Sequence, residues 1–167
     1  MNELQLILNQ TLPAGLYKFG RDPFDRSRIA IRTPFNFAPQ NAVYAYAELY
    51  GSSIRLSDDA GSDDALSSQG INLRHTLRGR ARQLARANGL RSLALPDEGL
   101  ALIAAVDVDE EDFKCFLDRF ALACVGIVKC VEDEFRFYQR LKFSANRGRR
   151  VVPLKTSSLG SFTTVSL

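Results

Sequence analysis

The sequence predicts an α+β fold: an antiparallel sheet, made of a four-strand meander plus a later hairpin, packed with helices and ending in a long amphipathic helix. Three observations predict it. Period-2 alternation with short turns runs through residues 16–57, helical periodicity takes over after Ser62, and one apolar stripe persists over residues 109–138. At 167 residues, with 46% hydrophobic and 25% charged side chains, the chain can bury a sizeable core. No stretch approaches the roughly 20 apolar residues that span a bilayer, and no basic-then-apolar leader opens the sequence. A cytoplasmic protein without membrane contact is therefore expected.

The elements follow in order. Leu4, Leu6, Ile7 and Leu8 lie on a short helix over residues 2–11, stopped near Pro13. Strands are expected over 16–19, 28–32, 42–50 and 53–57, the second closed by Thr33 and Pro34. In the third, Val43, Ala45, Ala47 and Leu49 alternate with Tyr44, Tyr46, Glu48 and Tyr50. Ser62 is placed to cap a helix that carries Asp63 and Asp64 in its first turn and ends at Gly70. A second helix covers 73–88, with Asn88 and Gly89 as its C-cap. Residues 91–95 and 100–106 form a strand pair across a turn of Pro96, Asp97, Glu98 and Gly99.

The last helix is predicted over 109–138, capped by Asp107 or Asp109 with acidic residues in its first turn. Its inward stripe includes Phe113, Phe116, Leu117, Phe120, Cys124 and Ile127. About 30 residues at 1.5 Å each give roughly 45 Å, more than a domain of this size needs. Either the helix breaks near Gly126, or its second half leaves the domain and packs on a partner. Val128, Val131, Phe135 and Tyr138 are the candidate partner face, and a homodimer through this helix is one expectation. Residues 1–143 read as one domain and 144–167 as a basic, Ser/Thr-rich tail.

Residues 28–129 resemble a prokaryotic family catalogued as domain of unknown function eighteen-twenty-eight. The resemblance rests on the strand ending Ile31, Arg32, Thr33, Pro34 and Phe35, the strand around Tyr44 and Tyr46, and the run from Ile54 through Ser57, Asp58, Asp59 and Ala60 to Gly61. Where the family usually shows an Asp-Asp-Gly turn, Ala60 precedes Gly61. The resemblance implies an α+β domain common in bacterial mobile elements and prophages, and it carries over no catalytic residue.

Three sets of residues are candidates for chemistry. Asp58, Asp59 and Asp63, with Asp64 and Glu48 nearby, are candidate ligands for Mg²⁺ or Mn²⁺ in a nuclease; the alternative makes Asp63 and Asp64 first-turn helix residues. A cofactor is expected only under that nuclease reading. The only histidine, His75, removes paired-histidine mechanisms, and the three cysteines show no CxxC spacing, which fits free thiols.

Arg74, Arg78, Arg82 and Arg86 lie on one helical face at i, i+4 spacing, and Arg91 follows. With Arg147, Arg149 and Arg150 of the tail they are the candidate contacts to phosphate or to a partner. The alternative is a solvated face, or one paired with the acidic segments 107–112 or 132–134. Arg80 falls on the apolar side of its helix and should be held by a carboxylate. Tyr44, Tyr46 and Tyr50, with Phe37, either pack beneath the helices or stack bases on an exposed face flanked by Arg32 and Arg55. Packing is the reading taken.

Charge is distributed in opposed blocks behind a net value of +3. Residues 1–73 carry −2, 74–91 carry +6, 92–134 carry −8 and 135–167 carry +7. Such blocks imply internal pairing or a partner that reads one sign. The function expected is a non-enzymatic binding module contacting nucleic acid or a protein partner, with a regulatory or anti-defence role of the anti-CRISPR kind. The alternatives are the nuclease and a protein-only inhibitor.

Overall fold

The computed structural model describes residues 3–72, 75–94, 100–107 and 112–148. Its elements run α1 (Glu3–Thr11), β1 (Lys18–Arg21), β2 (Ile29–Ala38), β3 (Asn41–Tyr50), β4 (Ser53–Ser57), α2 (Gly61–Ser67), α3 (His75–Ala87), β5 (Arg91–Ala94), β6 (Leu100–Asp107) and α4 (Phe113–Gly148). The chain divides into two units, Met1–Phe135 and Arg136–Leu167. The first holds the sheet and its core.

All six strands join one antiparallel sheet in the order β1-β2-β3-β4-β6-β5. The meander and the hairpin are thus continuous, because β6 pairs with β4, Leu56 opposite Ala104. Alternation decides the two faces. Ile29, Ile31, Val43, Ala45, Ala47, Ile54, Leu56, Leu100, Leu102 and Ala104 are all buried on one of them. The helices cover that face. Leu4 and Leu8 of α1, Ala65 and Leu66 of α2, and the stripe of α4 from Phe113 to Val131 complete the core.

Several expectations are corrected. β2 does not close at Pro34 but runs through it to Ala38. The register shifts between Arg32 and Asn36, so the missing proline donor falls where the ladder is already interrupted. Buried Thr33 supports this bulge: its hydroxyl donates to the Val43 carbonyl (2.9 Å) and accepts from the Phe35 N–H (3.3 Å). Ser62 does not cap α2. It sits inside the helix, the cap position is Ala60 in a left-handed conformation, and Asp58 accepts the Ser62 N–H (3.0 Å).

The start of α4 also differs. Asp107 belongs to β6, where Ser53 donates to it, and Asp109 lies outside the described residues. Asp112 does the capping, accepting the Lys114 N–H at 2.9 Å, and the first turn of α4 holds no acidic residue. The turn at 95–99 likewise lies outside the described residues. The C-cap of α3 is as expected: Gly89 takes φ +73° and the Leu90 N–H reaches back to the Ala85 carbonyl (2.9 Å).

α4 does not break at Gly126. It is one helix of 36 residues, about 54 Å long, and continues past the expected domain end at residue 143. Each added helical residue closes one more backbone hydrogen bond, so the helix outlasts the apolar period that announces it. Val128 and Val131 are 2% and 0% exposed within the chain's own core, and half-buried Phe135 packs against that core, so this part of the stripe is not a partner face. Within the second unit Tyr138 is exposed, as are Phe137, Leu141 and Phe143, and the Phe137 and Tyr138 rings meet edge to face.

Asp59 (φ 47°) and Ala60 (φ 67°) both adopt the left-handed region between β4 and α2. Aspartate tolerates it, whereas an alanine Cβ is strained there. Ala60→Gly should therefore raise stability by up to about 1 kcal/mol, read as a higher urea midpoint with an unchanged slope. A lower midpoint would show that the turn is not strained.

Candidate functional site

The acidic cluster is built around Asp58. The alternation that points Ile54 and Leu56 into the core continues to Asp58, which is 1% exposed. Its Oδ1 accepts the Leu102 N–H at 2.6 Å and its Oδ2 the Ser62 N–H at 3.0 Å. Its own N–H donates to the Leu102 carbonyl at 3.1 Å. Burial pushes its carboxyl pKa up, and the donated hydrogen bonds pull the other way. Beside it the buried Cys124 thiol is pushed well above its usual value, by burial first and then by the Asp58 charge.

Asp59 and Asp63 face elsewhere. Exposed Asp59 takes the Arg28 guanidinium at 3.3 Å, and Asp63 accepts the Leu100 N–H at 3.2 Å. The three carboxylates, close in sequence, therefore serve different groups: Asp58 one amide of β6 and one of α2, Asp59 an arginine, and Asp63 a second β6 amide. Among the described residues no group of three or more His, Cys, Asp and Glu side chains is arranged to hold a metal ion. The structure does not bring the nuclease candidates together.

The uncovered face of the sheet carries the aromatic set. Tyr44, Tyr46 and Tyr50 alternate with the buried Val43, Ala45 and Ala47, so they stand opposite the helices; the expected packing beneath them is corrected. Among the described residues helices pack on one face only, and an antiparallel sheet can leave its other face to solvent. Tyr44 is 45% and Tyr50 56% exposed. Phe37 belongs elsewhere, half-buried against the core beside Gly61.

Two cations of this face, Arg28 and Arg55, are matched by carboxylates. Arg28 lies 2.7 Å from Asp22, 3.3 Å from Asp59, 3.5 Å from Asp25 and 4.0 Å from Glu48. Its guanidinium also sits 5.0 Å from the centre of the Tyr46 ring. Arg55 donates to Glu48 and lies 4.8 Å over Tyr50. Glu48 in turn pushes the Tyr50 pKa up, through a hydrogen bond first and its charge second. Burial and then the charge of Asp59 raise that of Tyr46. Arg32 pairs in register with the exposed Tyr44 on one side and with Lys18 on the other, which adds two further cations to this face, Arg32 directly beside Tyr44 and Lys18 one strand beyond.

The arginines of α3 are less uniform than their spacing. Arg80 Nε lies 3.0 Å from Glu134 and its Nη1 donates to Gln83 at 2.8 Å, as its place on the apolar side requires. Arg78 and Arg82 are half-buried, while Arg86 and, on β5, Arg91 are exposed. Arg74, Arg149 and Arg150 lie outside the described residues, and Arg147 falls within the last turn of α4.

A cleft opens where α3 ends beside α4. One part, ≈340 Å³, is floored by Phe116 and Phe120 and walled by Gly89, Leu90 and Ala104. An adjoining part, ≈670 Å³, runs between Ala87 and Asn88 and the Cys115, Leu122 and Gly126 side of α4. Neither cleft was predicted, because both arise from the approach of elements distant in sequence. Comparison of the chain with protein-family models, with curated proteins and with solved structures finds no match.

The buried carboxyl makes a pH prediction. A folded-state pKa above the unfolded value means that Asp58 favours folding most below about pH 3.8, and that this contribution is lost as pH rises through the folded pKa. The wild type should lose stability relative to Asp58→Asn as pH is raised from 4 to 7 in denaturant titrations. A constant difference would contradict the assignment. Asp58→Ala, which leaves two buried amides without an acceptor, should cost about 3 kcal/mol.

Proposed function

We propose that this chain is a protein-binding module that takes its partner on the uncovered face of the sheet. The observation that carries the reading is a tyrosine face whose stacked arginines are held by carboxylates: Tyr44 and Tyr50 are exposed, while Arg55 over Tyr50 is bound by Glu48 and Arg28 over Tyr46 by Asp22. Tyrosine and arginine, held rigid by neighbours, are the side chains that dominate protein interfaces. Base stacking is disfavoured because guanidinium groups already cover the rings of Tyr46 and Tyr50. Phosphate tracking is disfavoured because Glu48, Asp22, Asp25 and Asp59 line the same region. The family resemblance adds a setting, a regulatory or anti-defence module of a mobile element that acts by occupying a host protein.

The test places a photo-crosslinking residue at position 44 and irradiates in the host that encodes the chain. One discrete protein adduct is expected, insensitive to nuclease and reduced at least tenfold by Tyr50→Ala. Two results would overturn the proposal. One is nucleic acid that co-purifies at low salt, raises the 260/280 nm absorbance ratio and is lost with Arg82→Ala and Arg86→Ala. The other is a thermal shift with Mn²⁺ or Mg²⁺ accompanied by cleavage of DNA or RNA, which points to the nuclease.

A further inference from the structure

The outward face of α4 carries a second pattern beside the buried stripe, and Arg119 within it lies 5.9 Å over the Phe116 ring. Cys115, Arg119, Leu122, Gly126, Cys130 and Asp133 follow one another at steps of 4, 3, 4, 4 and 3 residues. At 100° per residue they fall within about 80° of one helix face. All six are exposed, Leu122 by 52%, while the opposite stripe from Phe113 to Val131 is buried. All six lie within the first unit.

The pattern is symmetric about Gly126. Leu122 and Cys130 stand four residues to either side of it, and Arg119 and Asp133 seven. We infer that α4 is a self-association surface, packing antiparallel against α4 of a second copy of this chain about a two-fold axis at Gly126. Under that symmetry each residue meets its mirror position. Leu122 of each copy falls on Cys130 of the other, apolar on apolar. Arg119 of each falls on Asp133 of the other, cation on anion, twice. This charge complementarity selects a second copy over other occupants, since the same face read in parallel would set like charges together.

Gly126 supports the same placement. Glycine in a helix interior costs about 1 kcal/mol relative to alanine. A Cβ added at Gly126 would meet nothing within 4 Å, so nothing in the chain's own packing demands its absence. A bare backbone at the crossing point lets a second helix approach closely. The ≈670 Å³ cleft beside it, between Asn88 and Leu122, leaves room for side chains of the incoming helix. The surface lies in the helix layer, so the open sheet face stays available to a partner, and this inference does not rest on the proposed function.

The test is the mass of the full chain in solution, by light scattering across a dilution series. The wild type is expected to be a dimer. Asp133→Arg, which sets arginine against Arg119, should weaken dimerisation at least tenfold, and Arg119→Asp should do the same. The double variant Arg119→Asp/Asp133→Arg restores the opposed charges and should restore the dimer, a rescue that misfolding would not give. Gly126→Cys should form a disulfide-linked dimer under mild oxidation. A wild type that is monomeric at the highest concentration, a dimer indifferent to Asp133→Arg, or a failure of the double variant to rescue would each overturn the inference.

Discussion

Much of this structure hangs on one buried carboxylate. Asp58 directly follows β4, and its backbone N–H continues the ladder to the Leu102 carbonyl of β6 while its side chain accepts the Leu102 N–H. Its second oxygen takes the Ser62 N–H and so fixes the start of α2. One residue therefore joins the meander to the hairpin and sets the helix that turns the chain over the core. A buried carboxylate left unpaired would cost several kcal/mol, and here amides at both oxygens offset that cost. Each of its two oxygens thus serves the backbone of a different element, β6 and α2.

Among the described residues of the first unit, the packing of the helices on one side of the six-stranded sheet has a direct consequence for function. The small side chains Ala45 and Ala47 line the covered face of β3, and the tyrosines between them take the other. On that open face a second ionic centre forms around Arg28, which gathers Asp22 and Asp25 from the β1–β2 loop, Glu48 from β3 and Asp59 from the turn before α2. The Arg28 side chain is only 18% exposed, so these pairs are less screened than surface ones. They hold the loops against the sheet and leave the tyrosine face nearly neutral in charge. A surface of that kind suits a protein partner better than a polyanion.

Local signals in the sequence carried far. The alternation in β3, the β4 boundaries, the Gly89 cap and the long apolar stripe of α4 all appear as expected, because each depends on neighbours within a few residues. What alternation cannot say is which of two faces the helices will cover, and Tyr44, Tyr46 and Tyr50 were placed on the wrong one. The burial of Asp58 was legible in principle, since it continues the parity of Ile54 and Leu56, but its likeness to Asp59 and Asp63 obscured it. The Arg28 centre was not legible, because its four acidic partners come from three separate stretches of chain. Pro34 misled for a related reason: a bulge that accommodates a proline is a property of the paired strands, not of one strand alone.

The central claim, that Asp58 locks the two parts of the sheet and α2 into one cooperative unit, is tested most directly by native-state amide hydrogen exchange. The amides of Leu102 and Ser62 should exchange only through global unfolding, with the same free energy as amides in the middle of β3. In Asp58→Asn both should lose protection together while β2–β3 amides keep theirs relative to the new global stability. Fast exchange at Leu102 and Ser62 in the wild type, with β3 fully protected, would contradict the account.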